Sequence, residues 1–178
     1  MVDITGGDKL RAKLLDIQRK TLSAKQVSIG FLEGAKYPDG TSVAMVAAIQ
    51  EFGAPRAGIP PRPYFRGMIK AHKAEWGPEL SAALRTNGYD AAKALATMGL
   101  IIQGELKESI VELFDPPLSP VTVMLRKMKA DNPDLVITGK TVGEAARRVA
   151  EGKSSSGVST KPLIDTGTML QSIDYEVT

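Results

Sequence analysis

The chain has no cysteine. That removes disulfides, thiolate nucleophiles and cysteine-based zinc sites together, and it fits a reducing compartment. It has one histidine, His72, so a His-rich metal site within a single chain is excluded. A Ser-His-Asp triad would have to use that residue, which sits in a Lys-rich amphipathic stretch where a solvated imidazole is the ordinary case. Aromatic residues make up 5% of the chain, and none is interleaved with the basic residues of 119–161, as stacking on single-stranded bases would require. No apolar run approaches the length of a membrane span. The opening "MVDITGGDKLRAK" spreads its charges and lacks the apolar core of a signal peptide, so a soluble intracellular product without membrane partners is expected. No G-x-S-x-G is present.

What is there is an ordinary globular mixture. The chain has 178 residues, 43% hydrophobic and 24% charged, enough to bury a core without covalent staples. A single α+β domain over 1–178 is expected. The formal net charge is +3, and it is uneven. Residues 119–161 carry eight Lys/Arg against four Asp/Glu, and the remainder is close to neutral. Such a segment can contact nucleic acid, face an acidic partner, or stand solvated.

The pattern of apolar residues sets the elements. "TGGDKLRAKLLDIQRKTLS" predicts a helix opened by Thr5 or Asp8, with Leu10, Leu14, Ile17 and Leu22 as its stripe. Val27, Ile29 and Phe31 alternate with small or polar residues, the period of a half-buried strand near 26–32. "YPDG" is turn chemistry. "TSVAMVAAIQEFG" predicts a short helix capped by Thr41 or Ser42, burying Val43, Val46, Ala47 and Ile49, and stopped at Gly53. The ten residues 54–63 hold four prolines, which forbids a regular element and predicts an extended polyproline-like loop. From Tyr64 to Thr86 the pattern predicts two helices, or one broken near Gly77-Pro78. Leu95, Met98, Ile102, Leu106, Ile110 and Leu113 then mark a long helix that backs a sheet, with Gly99 and Gly104 as points of close packing. Ser119-Pro120 reads as the start of another helix. "LVITGKTVGEAARRVAEG" reads as a strand-like piece followed by a helix, and "GKSSSGVST" as flexible. Finally Ile173, Tyr175 and Val177 alternate with Ser172, Asp174 and Glu176, giving a strand near 172–177 that pairs naturally with Val27–Phe31.

Three stretches invite a chemical reading. Gly139-Lys140-Thr141 follows apolar residues, but a P-loop needs a glycine where Asp134 stands. "GKSSSG" fails likewise, with Arg147 at the required position. The third is Asp165-Thr166-Gly167, preceded by Leu163 and Ile164, which is how the catalytic aspartate of an aspartic protease is flanked. That chemistry needs two carboxylates sharing one proton. The chain supplies one such tripeptide, and only eleven residues follow Gly167, too few for the flap and core strands that retroviral enzymes build after the motif. The turn reading explains more residues. Asp165 or Thr166 caps a short helical turn, Gly167 permits a tight bend, and Met169-Leu170 pack inward.

Taken together, "KPLIDTGTMLQSIDYEV" resembles the C-terminal signature of small neck and tail-completion proteins of long-tailed bacteriophages, the tail-terminator and head–tail joining family. Three further pieces agree, in order. "VSIGFLEGAKYPDGTSVAMVAAIQEFGAPRAGIPPRPYFR" is similar to that group's strand, Glu-Phe-Gly helix and Pro-Arg-Pro-aromatic-aromatic-Arg loop. "GELKESI" resembles its central helix, and "PPLSPVTVMLRK" its Pro-Leu-Ser-Pro link. The stretch 128–160 is longer than the usual connection and reads as an inserted arm or flexible segment.

The resemblance implies an α+β fold, a small mixed or antiparallel sheet packed against long helices with an extended Pro-rich loop. It implies a structural virion protein at the neck or tail end, assembled in the host cytoplasm. Such a protein forms a ring with itself, commonly sixfold, and meets the tail-tube protein and a head-side connector or stopper, with passive contact to channel DNA. No catalytic residue, cofactor or metal is implied. The expected ring contacts are Glu51, Phe52, Arg62, Tyr64, Phe65 and Arg66. In that scheme Arg62 and Arg66 pair with a neighbour's acids, and Tyr64 and Phe65 are either interface anchors or core. Asp165, Thr166 and Gly167 are the structural turn. Two other readings stay open: an aspartic-type hydrolase using Asp165, and a nucleic-acid-binding module using 119–161.

Overall fold

The computed structural model describes residues 7–31 and 34–178. Thr5, one of the two expected helix caps, lies outside them, as does the Leu32 end of the first strand. The chain is α+β and divides into two compact units, one from 7–31, 65–107 and 173–178, the other from 34–64 and 108–172.

The first unit carries helix α1 (Gly7–Thr21), strand β1 (Val27–Phe31) and strand β2 (Ile173–Val177). It also holds most of helices α3 (Tyr64–Thr86) and α4 (Ala91–Glu112). The two strands pair antiparallel with Val27 opposite Val177 and Phe31 opposite Ile173, as their period-two patterns predict. The sheet lies on α4. Gly99 is where they touch, since a Cβ there would sit 2.3 Å from the Tyr175 ring. Gln103 Nε2 donates to the Ile173 carbonyl at 2.6 Å. Gly104, the other glycine expected to mark close packing, has nothing within 4 Å of a Cβ position. The α4 face at Ala91, Ala94, Met98, Ile102, Leu106 and Ile110 is buried. Leu95 is only half-buried, and Leu113 falls past the helix end.

Two expectations change here. α3 runs unbroken through Pro78. Proline costs the Ala74 carbonyl its partner, yet burial of Met68 and Ala83 and the Trp76 bond to Glu105 hold the helix on both sides. The α1 stripe is also not a core face. None of its residues is buried, and Leu10, Leu14 and Leu22 are 62%, 57% and 70% exposed.

The second unit holds α2 (Val43–Phe52), a single 3-10 turn (Pro55–Ala57), α5 (Pro120–Asp131), α6 (Gly139–Ala150) and the four-residue α7 (Thr168–Gln171). Ser42 caps α2, accepting from the Met45 amide, and Gly53 ends it at φ +76°. A side chain at Gly53 would collide with the Ile59 carbonyl and the Pro61 nitrogen. The proline-rich loop is not simply extended. It closes on itself through reciprocal Ala54 and Ile59 amide–carbonyl bonds of 2.8 and 3.1 Å.

Residues 128–160 hold the end of α5 and all of α6, which form a helical hairpin, while 132–138 and 151–160 hold no helix or strand. Ser119 caps α5 with Pro120 in the first helical turn, and Thr138 caps α6 through a reciprocal pair with Thr141. Gly139-Lys140-Thr141 is therefore a helix start, and 134–138 forms no strand. Met124, Met128 and Ala145 form the hairpin core, with Val121, Leu125, Leu135 and Val149 packed against it. Glu144 and Glu151 pair with Arg147, and Glu144 also with Arg148, so much of the α6 positive charge is answered within the helix. Among the described residues no helix is long and apolar enough to cross a membrane.

Candidate functional site

The residues that carry the phage-family resemblance lie far apart in sequence, and in the second unit three cations tie them together. Arg62, in the Pro-Arg-Pro loop, is 4% exposed. Its Nε donates to the Pro116 carbonyl at 3.1 Å, its Nη1 to Gln50 Oε1 at 3.0 Å and its Nη2 to the Pro117 carbonyl at 3.4 Å. Lys161, which opens the Lys-Pro-Leu segment, donates to the Val111 carbonyl at 3.3 Å. Its ammonium also sits 5.2 Å from the centre of the Phe114 ring.

Arg126, on α5, holds the Lys-Pro-Leu turn itself. Nη1 donates to the Ser159, Lys161 and Ile164 carbonyls at 2.8, 2.9 and 3.1 Å, and Nη2 to the Pro162 carbonyl at 3.4 Å. A planar guanidinium reaches these carbonyls from two nitrogens at once, Nη1 sharing its two hydrogens among three of them. Burial pushes both arginines below the usual guanidinium range. At Arg62 the charge of Arg126 adds to that, and at Arg126 the charge of Asp165 opposes it.

Three of the expected ring contacts lie inside the chain, Tyr64 among the core residues as one of its two expected readings has it. Arg62 and Tyr64 are buried within the chain itself, and so is Glu51 at 4% exposed. Tyr64, 2% exposed, donates its hydroxyl to the Ala47 carbonyl at 3.0 Å, and its own carbonyl accepts from Ser109 Oγ at 2.8 Å. Burial, then the charge of Glu51, pushes its phenol far above the usual range. These three side chains build the unit rather than its outer surface. Phe52 at 65% exposure and the exposed Arg66 do reach the surface, with Phe65 half-buried.

The Asp-Thr-Gly turn is a turn, with Gly167 at φ +80°, but Asp165 does not cap it. Position Gly167 precedes α7 without a side-chain cap. Thr166 Oγ1 instead accepts from the Thr168 amide at 3.4 Å and meets the Thr168 hydroxyl at 2.7 Å. Asp165 turns to Arg126, with Oδ1 3.5 Å from Nε. Met169 is buried and Leu170 half-buried, as the pattern predicts.

Asp165, Arg126, Tyr37, Asp39, Gln50 and Thr168 line a cleft of about 270 Å³. Burial, then the negative charges of Asp165 and Asp39, raises the Tyr37 phenol. The Asp39 carboxyl accepts from the Thr41 amide at 3.0 Å, and hydrogen bonding by Thr41 holds it below the usual carboxylate range. A larger groove of about 960 Å³ adjoins, walled by Pro133, Leu135, Val136, Ile137 and Val158. Val136 and Ile137 are 70% and 47% exposed.

Sequence reasoning missed Arg126, which reads as one more charge in a basic segment. It also assigned His72 to solvent, whereas His72 Nδ1 lies 3.3 Å from Glu105 Oε1. His72, Glu75 and Glu105 are the residues among those described whose ligand atoms lie close enough to share a cation. In comparisons with known proteins, no family model, no curated protein and no solved structure matches this chain.

Proposed function

We propose that the chain is a structural ring component at the head-proximal end of a bacteriophage tail, terminating the tube and joining it to the head connector. The observation that carries this reading is the interlocking of the resembling motifs. Arg62 of the Pro-Arg-Pro loop is bonded to the Pro-Pro link, and Arg126 of that link's helix is bonded to the Lys-Pro-Leu turn. These pieces are parts of one scaffold within the second unit. Their cations are bonded chiefly to backbone carbonyls.

The apolar surface supports the same reading. Large side chains stay exposed on α1, at Phe52, at Phe114 and at Val136-Ile137, and exposed apolar groups in such number suit a chain that buries them against other subunits. Head-to-tail rings join two different patches of one subunit, and the α1 stripe of the first unit and the Val136-Ile137 groove of the second are candidates. The test is sedimentation and negative-stain microscopy of the chain with its cognate tail-tube protein. Closed rings, free or on tube ends, are expected.

A further inference from the structure

We propose that His72, Glu75 and Glu105 form a binding site for a divalent transition-metal cation of the zinc class. His72 and Glu75 stand one turn apart on α3, which places both side chains on one face, and Glu105 comes from α4. His72 Nδ1 lies 3.3 Å from Glu105 Oε1 and 3.7 Å from Glu75 Oε2. All three ligand atoms lie within 4.8 Å of one another. Donors bound to one tetrahedral zinc ion sit about 3.3–3.4 Å apart, because each is about 2.0–2.1 Å from the metal. The His72–Glu105 spacing already has that value, and a small rotation of Glu75, whose side chain is 64% exposed, closes the other.

A further contact bears on the site. Trp76 Nε1 donates to Glu105 Oε2 at 2.9 Å, so the oxygen of Glu105 that does not face His72 is fixed from behind. Such an outer bond is what orients a metal-binding carboxylate.

The chain has one histidine and one tryptophan, and both turn to the same carboxylate. A simple His72–Glu105 hydrogen bond explains one contact of this group. It leaves Glu75, whose Oε2 lies 3.7 Å from the same imidazole nitrogen. One imidazole nitrogen with two carboxylate oxygens suits zinc rather than calcium or magnesium, which prefer oxygen alone. Three protein ligands leave a fourth position for water.

The sole tryptophan reports on the site. The full chain, stripped with chelator, is titrated with Zn²⁺ while Trp76 fluorescence is followed, and with Co²⁺ while its visible absorption is followed. A saturable change with one ion per chain is expected, weakened at least about tenfold in His72→Gln and in Glu75→Gln, with Lys73→Gln unaffected. Glu75 is exposed, so its variant decides the matter even if His72→Gln folds poorly. No saturable change with either ion overturns the proposal. So does binding that the wild type and both variants share equally.

Discussion

The Arg126 guanidinium lies 3.5 Å from the Asp165 carboxylate while donating to four main-chain carbonyls of 159–164. The two residues are unequal. The Arg126 side chain is 12% exposed and that of Asp165 56%. Removing the arginine strands several carbonyls, so Arg126→Ala should cost about 3 kcal/mol in urea denaturation, and Arg126→Lys should restore less than half. Asp165→Asn should cost under about 1 kcal/mol, the range of exposed ion pairs. Equal losses from both would mean that the pair, not the carbonyl clamp, holds the turn.

Tyr64 and Tyr37 set an alkaline limit. Both phenols are raised above the ordinary value of 10.0 by burial and neighbouring carboxylates. A group whose folded pKa is raised contributes its stability below the unfolded pKa and loses it as pH climbs toward the folded one. Melting temperature should therefore drop above pH 10. Tyr64→Phe should flatten that drop, at a cost near neutral pH of about 1 kcal/mol for the lost bond to Ala47. An unchanged alkaline limb in the variant would contradict this.

The two α4 glycines should respond in opposite directions. Gly99→Ala drives a methyl into the Tyr175 ring and should destabilise by about 1–3 kcal/mol. Gly104→Ala meets open space and should stabilise by about 0.5–1 kcal/mol through helix propensity. Thermal denaturation of the two single variants decides it.

These glycines show what the sequence could convey. A glycine inside a helical pattern announces an anomaly, and only the Tyr175 contact tells Gly99 from Gly104. The strands were legible because Val27–Phe31 and Ile173–Val177 alternate without interruption, and alternation fixes both face and register. The start of α5 was legible because Ser119 acts on an amide three residues away, whereas Thr138, which does the same for α6, was read as part of a strand-like piece. Arg62 was not. An arginine in a proline loop reads as surface, and its acceptors come from residues 50, 116 and 117, set by tertiary structure alone. Pro78 failed for the same reason: a local rule for breaking helices lost to packing on either side. Asp165 was read as a turn residue, but its partner Arg126 lies 39 positions away, beyond the reach of any capping pattern.

The α1 leucines should matter for assembly and not for folding. Leu10 and Leu14 are more than half exposed, so Leu10→Glu with Leu14→Glu should shift the unfolding free energy of the isolated chain by no more than about 0.5 kcal/mol per site. The same variant should lose higher oligomers in sedimentation. A variant that assembles normally would remove α1 from the ring interface.

The most direct measurement is electron microscopy of cognate tail tubes incubated with saturating purified chain, the chain marked by gold-labelled antibody. The account predicts one ring-shaped density at a single end of each tube, with tube growth halted there. Tubes with bare ends, continued growth and label absent or scattered along their sides would contradict it.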